Sequence, residues 1–383
     1  MRSRLLPGTG IFFLLFLFFF PLTFLGDFQQ RWSLLLWGDL SEWIVEYIFK
    51  INQSRIDFSS DSSSMFALVM ILMVVSALAA ILIKKKHHQR ILDLSKEVIV
   101  LYLAVVLMKY GFDKVFKAQF YLPEPNILYS RFGDLDKDIL FWSTMGTSRL
   151  YSVSAGILEL LAALLILFRK TRVPGLLVSI GILIHIFLIN VGFDISVKFF
   201  SLILLFMAVF ALKDNWVPLY RFFILKQEVK PEEKREINPK FQPVWIFFKT
   251  AFVGISMAII LFPFINAGNF NDDTEDRPFL HGAFKNLDAY SDIQYVFFHR
   301  NNYLILMDKN EKRVDFHYLQ GSKNQLILED YKNRKSKVDY VYDKKDSLLT
   351  LDFGKYMIKA KALNWRKMNA LQPLFHTTIE EAE

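Results

Sequence analysis

Lys109-Tyr110-Gly111-Phe112-Asp113-Lys114-Val115-Phe116-Lys117 closes the first of four long apolar segments that run from Val98 to Leu212. The second carries Glu159 within Gly156-Ile157-Leu158-Glu159-Leu160-Leu161. The third carries His185 and ends Asn190-Val191-Gly192-Phe193-Asp194, and the fourth opens Ile195-Ser196-Val197-Lys198. Several such runs approach the roughly 20 apolar residues that cross a bilayer. An ionisable group inside a span is costly and is by default a functional-site candidate.

The whole chain agrees with that reading. It has 383 residues, 53% of them hydrophobic and 39 of them Phe, more apolar than a single soluble domain of this length. The net charge of +8 does not point to nucleic acid, because the basic residues cluster beside apolar runs, as in Lys84-Lys85-Lys86-His87-His88-Gln89-Arg90 and Arg169-Lys170-Thr171-Arg172. With no cysteine, disulfides, thiolate metal sites and thiol relays within the chain are excluded. Residues 1–25 resemble a signal peptide but lack a small-x-small exit, so they read as an uncleaved first span.

Seven spans are expected, at about 6–25, 64–83, 98–115, 150–168, 174–193, 197–212 and 245–266. The basic loops at 84–90, 169–172 and 213–240 fall on one side of the membrane if the N-terminus is cytoplasmic. The expected order of parts is two transmembrane helices with an outer amphipathic helix (1–97, the amphipathic stretch being 31–51), a four-helix membrane bundle (98–213), a cytoplasmic linker (214–244), a seventh transmembrane helix (245–266) and a β-rich domain outside the cytoplasm (267–383). In that last part, Tyr295–Phe298, Tyr303–Met307, Val314–Tyr318, Gln325–Leu328, Val338–Tyr342, Leu348–Leu351 and Tyr356–Ala360 are short runs parted by turn residues. They predict a small antiparallel sandwich or barrel. The fold class is therefore an α-helical integral membrane protein with a C-terminal all-β extracytoplasmic domain.

Glu159 lies ten residues before the basic turn and His185 eleven after Pro174. At about 1.5 Å per residue both sit roughly 15 Å from the turn, at one depth on adjacent helices. Such a pair can share a proton, accept one from a quinol, or only join the helices. Lys109, Asp113 and Lys117 recur at i, i+4, with Lys114 beside them. With Asn190, Asp194 and Lys198 they outline a polar mouth for an anionic or quinone-like headgroup, or a set of snorkelling ion pairs. No metal is expected: His281, His299, His317 and His376 are scattered without ligand spacing.

The run Tyr110-Gly-Phe-Asp-Lys-Val-Phe-Lys-x-Gln-Phe, with Gly156-x-x-Glu159, Phe168-Arg-Lys-Thr and Phe193-Asp-Ile-Ser-Val-Lys198, resembles the DoxX/DoxD-like membrane proteins over about 98–213. The resemblance implies a four-helix membrane bundle associated with quinone-linked or thiol-linked redox systems. The bundle is also similar to the membrane part of vitamin-K-dependent carboxylases, where a β-rich region outside the cytoplasm follows the helices. Longer relatives end in Phe-His-Trp; here Pro373-Leu374-Phe375-His376-Thr377-Thr378 lacks the Trp. Together these features lead to an expected bacterial inner-membrane protein with a quinone or isoprenoid as ligand, Glu159 and His185 handling protons, and the mouth residues binding the headgroup. The alternative is a non-catalytic anchor or scaffold that binds a membrane or periplasmic protein partner through the β-domain.

Overall fold

The structure, a computed structural model, describes residues 2–20, 27–52, 55–229, 242–321 and 324–373. Its helices are α1 (Arg2–Phe19), α2 (Asp27–Trp43), α3 (Ser63–Leu82), α4 (His88–Val115), α5 (Pro125–Leu128), α6 (Lys137–Thr147), α7 (Arg149–Leu167), α8 (Arg172–Gly192), α9 (Lys198–Ala211), α10 (Trp216–Phe223) and α11 (Gln242–Ala267). The strands are β1 (Gly282–Asn286), β2 (Ile293–Phe298), β3 (Tyr303–Asp308), β4 (Arg313–Gln320), β5 (Gln325–Glu329), β6 (Lys335–Asp343), β7 (Leu348–Asp352) and β8 (Met357–Leu363). The chain forms two units: residues 1–115 with 154–268, and residues 116–153 with 269–383.

The first unit is helical. Among the described residues, α3, α7, α8 and the stretch Pro243–Thr274 are long and apolar enough to cross a membrane, and α9 with α10, bent by 47°, would make a fifth. The 28-residue α4 carries Lys109, Asp113 and Lys114 near its end and packs against α1, α9 and α11. Its core-facing residues, among them Ile99, Leu103, Val106 and Leu107, are buried together with Phe13, Phe16 and Met207.

The amphipathic helix expected at 31–51 is present as α2 and a π-helical turn, Ile44–Ile48. Its exposed side mixes large apolar residues with Arg31, Asp39, Glu42 and Glu46. Gln29, Ser33 and Ser41 are buried, whereas Phe28, Trp32, Leu35, Leu36, Trp43 and Tyr47 are exposed along one face. The buried polar groups have work there: Gln29 Nε2 donates to the carbonyls of Leu17 and Phe18 (2.9 and 3.1 Å) and Ser33 Oγ to that of Phe19. They satisfy the carbonyls that the end of α1 leaves without intrahelical partners. In α11, likewise, Ser256 is buried while Phe247, Phe252, Ile255 and Phe262 are exposed.

The second unit is a closed, antiparallel eight-stranded barrel in which each strand pairs with its neighbours in sequence and β1 closes on β8, with Phe284 opposite Ala362. Of the two expected β architectures the structure has the barrel. The seven expected runs are β2 to β8; β1, Gly-Ala-Phe-Lys-Asn, has too little alternation and too few strand-favouring residues to be recognised alone. Phe284, Phe298, Tyr318, Leu326, Leu349 and Leu351 fill the interior. Outside, Phe297, Ile305, Met307 and Trp365 form a second apolar cluster that Leu128 and Tyr129 cover. Residues 116–149, expected as a loop of the helical part, thus belong to the barrel unit.

Candidate functional sites

In the helical unit α4 and α7 approach at two glycines. A Cβ on Gly156 would lie 2.6 Å from the carbonyl oxygen of Gly111, and one on Gly111 would lie 3.0 Å from that of Gly156. Small residues permit this backbone contact between helices. The contact brings Lys114 and Glu159 together: Lys114 Nζ lies 2.9 Å from Glu159 Oε1 and 3.0 Å from Oε2, and both side chains are buried. Lys109 pairs with Asp113 one turn earlier on α4.

Glu159 therefore meets Lys114, and the expected Glu159–His185 pair is corrected. His185 is exposed on α8, and no hydrogen bond joins it to Glu159 among the described residues. Depth fixes only the level of two residues; their rotational phase around the helix axes sends these two side chains different ways.

The remaining mouth residues do not converge on this pair. Asn190 is buried and its Nδ2 donates to Ser201 Oγ at 3.0 Å, tying α8 to α9. Asp194 adopts a left-handed backbone (φ 54°) in the tight turn and pairs with Lys198 at 2.8 Å. Asp61, which the sequence did not single out, caps α9: its carboxylate accepts from the backbone N–H of Lys198 and of Phe199, each at 3.0 Å. Arg172, read as a topological loop charge, is buried and grips Glu97 through both guanidinium arms at 2.6 and 3.2 Å.

Lys117 lies in the barrel unit. It follows the last turn of α4 with φ 62° and is fully buried, its Nζ donating to the carbonyl of Gly146 at 2.6 Å with Asp273 at 3.5 Å. Burial lowers the Lys117 ammonium and raises the Asp273 carboxyl, each from its ordinary value. A Cβ on Gly146 would fall 2.1 Å from the carbonyl oxygen of Tyr121, so only glycine allows this approach.

These contacts hold the segment 117–124 beside a cavity of about 440 Å³. At its edge Glu124, bracketed by Pro123 and Pro125, is 5% exposed. Its Oε2 lies 2.9 Å from His281 Nε2, accepts from the backbone N–H of Arg300 at 3.2 Å and is 4.0 Å from His299 Nε2, while Arg300 Nε is 3.5 Å from Oε1. Burial pushes the Glu124 carboxyl upward, but the His281 hydrogen bond and the neighbouring positive charges outweigh it and hold the group below the ordinary value. Burial lowers His299, favouring its neutral ring. Arg300 also binds Asp272 (2.5 Å) and lies over the Tyr121 ring at 4.4 Å. The side-chain oxygens of Gln119 and Asn126, both cavity residues, are buried without hydrogen-bond partners.

Comparison with known proteins adds a family. Over 138 residues, 36% of this chain and 84% of the relative, the chain is 33% identical to the uncharacterized protein YwoB of Bacillus subtilis (strain 168). The chain belongs to the YwoB family. No family model matches it. No solved structure matches it either.

In this YwoB-family chain the cavity is what sequence reading missed. His281 and His299 were noted as scattered, and among the described residues no cluster suited to a metal forms around them. They instead converge on Glu124 from 157 and 175 residues away in sequence, a separation that no local pattern encodes. The available signal was a single acid between two prolines. His376 lies outside the described residues.

Proposed function

We propose that this YwoB-family chain is an integral inner-membrane protein whose helical unit binds the headgroup of a quinone or similar isoprenoid at Lys114 and Glu159, as a redox-associated subunit. The observation that carries the reading is this ion pair, buried where the charged end of α4 meets the apolar α7. Withdrawing such charges from water costs several kcal/mol per ion, and nothing in helix packing requires them there. The outward apolar face of α11 and the exposed Phe28, Trp32, Leu35, Leu36, Trp43 and Tyr47 of α2 and its π-helical turn support a lipid environment, since large exposed apolar faces mark contact surfaces. Counting α1, the charged α4 and the α9–α10 pair with the four longer apolar helices gives seven spans. A cytoplasmic N-terminus then leaves the basic loops inside and the barrel in the periplasm. The DoxX-like motifs, which include Gly156-x-x-Glu159, agree with this placement.

The donor set fits a quinone. The Lys114 ammonium can donate to a carbonyl oxygen and the Glu159 carboxylate can accept from a hydroxyl, so one pair serves both oxidation states. The Tyr110 ring lies 5.6 Å from Lys114 Nζ and offers a flat wall. When bound, a quinone supplies a reversible two-electron, two-proton couple. Glu159 is the proton acceptor in this reading, with Lys114 as the partner that sets its charge, the place first given to His185. Short-chain benzoquinone and naphthoquinone analogues titrated into the purified protein test it. Glu159→Gln should weaken binding by the folded protein at least about tenfold; unaltered affinity removes Glu159 from the site.

A second reading is favoured by a different observation. Among the described residues the barrel interior is lined by a continuous apolar cluster of its own side chains, Phe284, Phe298, Tyr318, Leu326, Leu349 and Leu351 among them. The helical unit would then be an anchor, and the outer barrel surface would bind a protein partner. A stable partner lost on deleting 267–383 is the expected result on that reading.

A further inference from the structure

The barrel unit's cavity beside Glu124 is a second site, independent of the helical ion pair, and we propose that it binds a small neutral polyhydroxylated ring, a monosaccharide or the terminal sugar of a glycan. The argument begins with unmet hydrogen bonds. Asn126 is 9% exposed and its side-chain oxygen has no partner, as has that of Gln119. Buried polar groups seldom go unpartnered in a native fold; both amides line the cavity, where a half-turn about the last side-chain bond exchanges oxygen and nitrogen and offers a ligand an acceptor or a donor. The cavity also offers donors. Asn301 N–H donates to His299 Nδ1 at 3.1 Å, which puts the proton of the neutral ring on Nε2. That Nε2 stands 4.0 Å from Glu124, too far for a hydrogen bond, and can donate to a ligand. Ser143 adds a hydroxyl.

Charge selects among ligands. A cation is disfavoured: Glu124 is already matched by His281 and Arg300, and the Arg300 guanidinium occupies the Tyr121 ring at 4.4 Å. An anion is disfavoured too, because no lysine or arginine lines the cavity while the Glu124 carboxylate does. A hydroxyl, donor and acceptor at once, satisfies the mixed set that remains. Trp142, Pro123, Ile127 and Ile139 give flat apolar walls for the C–H faces of a ring. A volume of about 440 Å³ is in the range of small-molecule pockets and holds one such ring.

The test is saturation-transfer difference NMR on the full chain in lipid nanodiscs, since maltoside detergents carry sugars of their own. The probes are glucose, galactose, mannose and N-acetylglucosamine, with choline and phosphate as charged comparators. We expect saturation of ring protons from at least one sugar and none from choline or phosphate. Asn126→Ala should weaken that binding about tenfold or more. Ser143→Trp, which fills the cavity from α6, should abolish it while barrel melting stays at the wild-type value. A short oligosaccharide ending in the same sugar distinguishes the sources: tighter binding than the monosaccharide identifies a glycan end, equal binding a free sugar. Absence of any sugar signal, preference for a charged comparator, or binding that survives Ser143→Trp overturns the assignment.

Discussion

Lys114 and Glu159 meet because Gly111 and Gly156 let two backbones touch, so the pair depends on atoms that are absent. Gly156→Ala places a methyl 2.6 Å from a carbonyl oxygen and must part α4 from α7. We expect a loss of about 1–3 kcal/mol of stability, as for other overpacked sites, and weaker quinone binding through loss of the Lys114–Glu159 contact; thermal melting and titration together check it. Removing one partner strands the other. Glu159→Ala should destabilise by about 3–5 kcal/mol, whereas the double variant Lys114→Met/Glu159→Leu should come close to wild-type stability. A double variant no more stable than Glu159→Ala would show that the pair is not the source of the loss. In the barrel unit, Gly146→Ala forces its new methyl onto the Tyr121 carbonyl and displaces the Lys117 contact, so it should lower barrel stability by more than about 1 kcal/mol.

At the scale of elements, the hydrophobic pattern was enough to place helices and most strands. Period-2 runs marked β2 to β8, and the turns between them follow from short polar side chains. Asp308 Oδ1 accepts from the N–H of Asn310 and of Lys312 at 2.8 Å, Asp330 Oδ1 from Lys332 and Arg334 at 2.9 Å, and Asp343 Oδ1 from Lys345 at 2.8 Å. Asp330→Ala should thus lower the urea midpoint of barrel unfolding, and Asp330→Asn should lower it less. What the pattern could not give was rotational phase and long-range closure. Glu159 and His185 share a depth but not a face. β1 became a strand because the barrel needed an eighth, and the capping of α1 by Gln29 and Ser33 is a tertiary contact written in no local motif. The i, i+4 spacing at the end of α4 does not gather one mouth: it yields the Lys109–Asp113 and Lys114–Glu159 pairs and, at Lys117, a strut in the other unit.

At the scale of the molecule, the connection 116–153 joins the barrel, and it brings Glu124 to His281 and His299. That arrangement makes the barrel unit acid-sensitive. His299 has a folded value below its ordinary 6.5, so an unfolded chain binds its proton first and stability declines as pH falls below about that value. Glu124 and Asp272, also held below their ordinary 4.5 and 3.8, keep their contribution above those values and lose it as pH falls through them. Asp273, raised by burial above its ordinary 3.8, acts in the opposite sense. We therefore expect barrel melting to fall in two stages as pH drops from neutrality into acid. Replacing His299 with Gln should remove the first stage, and circular dichroism of the strand signal against pH reads both.

The central claim concerns the helical unit. Wild-type protein and Lys114→Met/Glu159→Leu should be purified side by side from the same membranes, extracted with organic solvent and measured for isoprenoid quinones by mass spectrometry. The account predicts near-stoichiometric quinone in the wild type and its loss from an equally well-folded double variant. No quinone in the wild type, or equal amounts in both, would contradict it.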